Sequence, residues 1–217
     1  MLFRSEELQT SETENLFAQF SPTITRLESE QALQQALEEI KMAGNVALLP
    51  DAEGSAMQGK IKGPALATRA DRAYYLPLLT PETGTLGGLF DAEEQEETFA
   101  VPLHTLRPLL EDPQIAKWGH LTKYLEMLLE RGGIQPTPFT FDTELAGYVL
   151  SAGRPSYPLS DLTNDYLGIR LEETPSPTPE QLATQTALIT LLVPTMQEKI
   201  KELEMTDVMQ QIGRAHV

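Results

Sequence analysis

The sequence predicts an α/β domain, with a mixed central sheet and helices packed against it. Three observations carry that reading. Short apolar runs of strand length recur, among them "ITRL" (24–27), "NVALL" (45–49) and "KWG" (117–119). Between them lie segments with apolar residues at helical spacing, as in "SEQALQQALEEIKMAG". The order is strands first, then strands alternating with helices, which suits helices laid on a mixed sheet.

Residues 6–22 are polar and acidic and read as a linker closed by Ser21-Pro22. In the helix that follows strand 24–27, Leu33, Leu37 and Ile40 share a face, with Ser29 as N-cap and Gly44 as C-terminal stop. "GPALATR" and "RAYYLPL" flank Ala70-Asp71 and predict a hairpin, followed by a long acidic loop. "TFAVPL" (98–103) suits a short strand or a helix start. The helix "HLTKYLEMLLER" places Leu121, Tyr124, Leu125 and Leu128 on one face and ends at Gly132-Gly133. "PFTFD" (138–142) reads as a strand. Asp142 is expected to cap "TELAGYVL", and Ser160 to cap "DLTNDYLGI". A Pro-rich loop, "EETPSPTP", leads to a helix from Glu180 to about Met205, with Pro194 as a kink or break.

The composition excludes several classes of function. There is no cysteine, so disulfides, thiolate zinc sites and thiol nucleophiles are out. The formal charge is −16, from 32 acidic and 16 basic residues, which disfavours autonomous binding of a phosphate polymer. "DAEEQEE" (91–97) reads as a solvated loop. Apolar runs such as "ALITLLV" are too short to span a bilayer, and a cytoplasmic address is expected. His104, His120 and His216 lack metal-ligand spacing, so structural or surface roles are expected for the first two. No Gly-rich phosphate loop occurs. Tyr74, Tyr75 and Trp118 have few cations beside them and suit a core or sheet face better than base stacking.

The two ends, "MLFRS" and "IGRAHV", fit nothing around them. Codons for Ile-Gly-Arg-Ala-His can be the reverse complement of a start codon followed by Leu-Phe-Arg, and the inverted sequence resembles a sequencing-library adapter. Residues 1–5 and 212–217 are therefore expected to be non-native, with His216 in that tail and 210–217 as a truncated end. The domain proper is expected over residues 23–209.

The segment "FDTELAGYVLSAGRPSYPLSDLTNDYLGIRL" (141–171) resembles the 3′–5′ exonuclease-type domain of bacterial DNA polymerase I, in the family A polymerases. There, Phe-Asp-Thr opens a helix of the type Leu-Ala-x-Tyr-Leu-Leu, followed by a loop and a second amphipathic helix. The earlier order also fits, with "ITRLESEQALQQALEEI", strand 46–49, the hairpin ending "AYYLPL", and "KWGHLTKYLEMLLERGGI". The resemblance covers roughly residues 23–209 and implies a ribonuclease H-like exonuclease fold.

Active members of that family hold two divalent metals with four acidic residues, helped by a tyrosine near the last Asp. A pair of metals clamps both the attacking water and the leaving oxygen, which takes several carboxylates in one place. Laid on this pattern, the first-strand pair falls on Leu49 and Asp51, and the next Asp falls on Leu125. The family's Tyr and last Asp fall on Leu182 and Thr186. Three of four ligands are thus replaced. Shifting the first motif by two would use Asp51 and Glu53 and restore one pair only. Glu126 cannot stand in for Leu125, because one residue turns about 100° around a helix.

The resemblance therefore implies a degenerate domain with no catalytic residues, cofactor or metal of its own. Leu49, Leu125 and Leu182 are expected to fill the old cleft, leaving it closed and dry, with Asp51 and Glu53 facing solvent. The implied partner is the polymerase module of the same parent chain, a magnesium-using nucleotidyltransferase. DNA would be met only through that parent enzyme, with no membrane and a monomeric state. Two alternatives stand beside this: a residual metal-dependent exonuclease built on Asp51 and Glu53, and an acidic, non-enzymatic interaction module.

Overall fold

Along the central strands, side chains alternate between two apolar layers, as the two-residue period of a strand requires. Ala47, Leu49, Ala65, Ala67, Ala73 and Tyr75 enter one layer, while Val46, Leu48, Leu66, Tyr74 and Leu76 enter the other. The computed structural model describes residues 20–79, 99–172 and 174–215. The acidic loop 91–97, His216 and most of the expected linker lie outside them.

The six strands are β1 (Thr23–Arg26), β2 (Asn45–Glu53), β3 (Lys60–Arg69), β4 (Arg72–Tyr75), β5 (Ala116–Gly119) and β6 (Phe141–Asp142). They are ordered β1-β4-β3-β2-β5-β6 in one mixed sheet. β2, β3 and β4 are antiparallel, and β1, β5 and β6 join them in parallel. The predicted hairpin is present, and β2 runs four residues beyond the expected Leu49, to Glu53.

Helix α1 (Glu30–Ala43) covers the second layer with Leu33, Ala36 and Ile40. Its ends are those the sequence predicts: the Ser29 side chain accepts from the Ala32 N–H, and Gly44 takes the left-handed φ of 69°. The segment "TFAVPL" resolves into an isolated parallel bridge, Leu78 to Val101, then a 3₁₀ turn (Leu103–Leu106) and the short α2 (Arg107–Leu110).

Helix α3 (Thr122–Arg131) begins two residues later than expected, and Leu121 is not on its buried face. Leu121 lies outside the helix at φ 56°, 45% exposed; Thr122, Leu125, Leu128 and Leu129 are buried instead. The strand expected over 138–142 shrinks to two residues, because the Thr140 N–H and hydroxyl both turn to the Lys117 carbonyl. Asp142 caps α4 (Thr143–Leu150) as predicted, accepting from the Glu144 and Leu145 N–H groups. Ser160 does not cap α5 (Leu159–Leu167): it lies inside that helix, and Pro158 holds the cap position.

On the first layer lies α6 (Pro179–Glu202), opened by a capping box between Thr178 and Gln181. It runs through Pro194 without a break. An internal proline costs about 3 kcal/mol, and burial of Leu192, Val193 and Met196 on the sheet offsets it. The alanines of β2, β3 and β4 admit this helix at close range. Helix α7 (Thr206–Ala215) follows and crosses the boundary drawn at residue 209. Among the described residues, no helix is long and apolar enough to cross a membrane.

Candidate functional site

Leu49, Leu182 and Thr186, three of the residues matched to the exonuclease pattern, lie where β2 passes beneath α6. Leu49 and Leu182 are both buried in the first layer. Thr186, one turn beyond Leu182, is fully buried, and its hydroxyl donates to the Leu182 carbonyl at 2.7 Å. That bond commits the hydroxyl to its own helix. Leu125 departs from expectation. It packs in the second layer with Leu129, Ile134 and Leu48, on the opposite side of the sheet from Leu49 and Leu182. Leu49 and Leu182 thus share one layer, and Leu125 does not join them.

Asp51 also departs from expectation. It is half-buried rather than solvent-facing, and the Tyr75 hydroxyl donates to its Oδ2 at 2.8 Å. The sheet register explains how Tyr75 reaches it. Tyr75 stands opposite Ala65 on β3, and Ala65 stands opposite Leu49 on β2, so the natural neighbour of Tyr75 is two residues short of Asp51. The residue opposite Asp51 is Gly63. A Cβ there would lie 2.8 Å from the Tyr75 ring and its oxygen, and 2.5 Å from the Leu76 carbonyl oxygen. Only a glycine lets the ring lean across.

On its other side the ring lies under Arg26, opposite it on β1, with the guanidinium carbon 5.4 Å from the centroid. Burial, then the bond to Asp51, pushes the Tyr75 phenol above its ordinary range. Arg26, Tyr75 and Asp51 thus make a polar row across four strands. Sequence reasoning missed this row, although a glycine inside a strand is the signal that could have revealed it.

Glu53 is exposed and pairs with Lys62. The ladder shifts between Asp51 and Ala52, leaving Lys62 as an extra residue on β3. Asp51 and Glu53 therefore face different partners. A divalent metal of the kind the family uses does not fit these residues. Its positions present two leucine side chains, a threonine bonded to its own helix and one carboxylate held by a tyrosine. A hard cation needs several oxygens in one place. Among the described residues, no group of three His, Asp or Glu is placed to hold a metal.

A second polar cluster sits at the sheet edge. Asp142 Oδ1 caps α4, while Oδ2 accepts from both the N–H (2.7 Å) and hydroxyl (2.8 Å) of Thr122. One carboxylate thereby holds the starts of α3 and α4. Beside it, the Thr143 hydroxyl donates to the Gly119 carbonyl, so the His120 Nδ1 2.9 Å away must be the donor to Thr143. Burial, opposed by the Asp142 charge, lowers the His120 pKa to about 4. His104 is exposed.

Lys117, 1% exposed, donates to the carbonyls of Asp112 and Ile115 and to the Thr137 hydroxyl. Burial pushes its ammonium below the ordinary lysine range. These contacts leave it anchoring a loop.

No protein-family profile matches the chain. Among curated proteins it is similar to DNA polymerase I of Rhizobium leguminosarum, 36% identical over 125 residues, covering 52% of this chain and 12% of that one. It is also similar to DNA polymerase I of Pseudomonas aeruginosa, 32% identical over 123 residues, covering 54% and 13%. The match thus spans about an eighth of each relative's length. Among solved structures, the POL domain of Pol1 from M. smegmatis, in complex with DNA primer-template and dNTP, superposes with a TM-score of 0.67. It is 19% identical and covers 86% of this chain and 29% of that one. Brucella melitensis NrnC gives 0.66 at 13% identity, covering 90% and 89%. Escherichia coli RNase D, an exoribonuclease, gives 0.63 at 16% identity, covering 90% and 49%. The fold is the ribonuclease H-like exonuclease fold, and about half of the chain bears a distant, partial similarity to DNA polymerase I.

Proposed function

We propose that the chain is a catalytically silent 3′–5′ exonuclease-type domain that serves as a scaffold beside the polymerase module of a bacterial DNA polymerase I. One observation carries the silence: Leu49 and Leu182 close the place where carboxylates would face one another, and Tyr75 occupies the one carboxylate that remains. Four unmetallated carboxylates would repel one another. Buried leucines at two of those positions, Leu49 and Leu125, and Thr186 at a third remove that repulsion, and each leucine adds about 1–3 kcal/mol of apolar burial. A domain changed in this way keeps its fold, and its use becomes mechanical. Partial similarity to two DNA polymerase I chains supports the choice of parent. Magnesium belongs, on this reading, to the polymerase module.

The test is a nuclease assay on single-stranded DNA with magnesium or manganese. The expected result is no cleavage above background. Cleavage abolished by Asp51→Ala would overturn the proposal in favour of a residual exonuclease. The reading frame that follows the codon for Gln211 in the source DNA tests the parentage, and a continuing polymerase frame is expected.

A further inference from the structure

We draw no further inference here: the strongest candidate, the apolar groove at the sheet edge between the start of α3, α4 and residues 154–157, where Leu121 and Tyr148 stand half-exposed, carries nothing because nothing in the structure shows what covers it.

Discussion

The Tyr75 hydroxyl donates to Asp51 Oδ2 at 2.8 Å across the bare backbone of Gly63. That bond satisfies a half-buried carboxylate at the position where the exonuclease pattern places a metal ligand. Removing the donor leaves the acceptor partly desolvated. Tyr75→Phe should therefore lower stability by about 1–2 kcal/mol, read as a lower urea midpoint at unchanged slope. Asp51→Asn keeps an acceptor for the hydroxyl and should cost less. Equal losses in the two would show that the bond does not hold the row.

Gly63→Ala tests the same relationship from the backbone. The added methyl would press on the Leu76 carbonyl and on the Tyr75 ring. A loss of about 2 kcal/mol or more is expected. In Tyr75→Phe the ring remains, so the alanine should still be costly there.

Asp142 ties two helix starts together, and its loss should be larger than that of an ordinary cap. Asp142→Ala is expected to cost about 2–3 kcal/mol, since a single cap is worth about 1. Asp142→Asn should recover part of it. Amide exchange should speed up at Thr122 as well as at Glu144, and exchange confined to α4 would contradict the shared cap.

His120 makes stability depend on pH in a defined window. Its folded pKa, lowered to about 4, lies below the ordinary histidine value, so the unfolded chain takes up the proton first. Its contribution is complete above about pH 6.5 and is lost as pH falls toward 4, by roughly 1–3 kcal/mol. Carboxylates ordinarily titrate in the same range. The measurement is therefore the difference between the wild type and His120→Asn, whose amide can still donate to Thr143. The variant should show the shallower slope from pH 6.5 to 4.

Leu49→Asp places a carboxylate on β2 at the first position matched to the exonuclease pattern. The residue is buried, and Leu182 stands in the same layer. A loss of several kcal/mol is expected, because an unpaired charge is poorly tolerated there. Millimolar magnesium should raise the melting temperature of neither the variant nor the wild type. A magnesium-dependent rise in the variant would show that Asp51 can still be recruited from Tyr75.

Local chemistry was legible in the chain itself. The Ser29 cap, the Gly44 stop, the hairpin around Ala70-Asp71 and the Asp142 cap follow from residues within a few positions of one another. The apolar run of β2 and the periodicity of α1 likewise disclosed the mixed sheet and its covering helices, and the order of "FDTELAGYVL" and its neighbours pointed to the exonuclease fold. Relations between distant segments were decided by tertiary structure. Leu125 has the right spacing for a cleft residue, yet the rotation of α3 turns it into the layer on the other side of the sheet. Leu121 belongs by pattern to the helix, but Asp142, 20 residues away along the chain, accepts from Thr122 and sets the start there. Asp51 looked solvent-facing until strand register placed Gly63 opposite it and Tyr75 over that gap. A sequence fixes which side chains each element offers; which of them meet depends on register and helix rotation, set by packing the whole sheet at once.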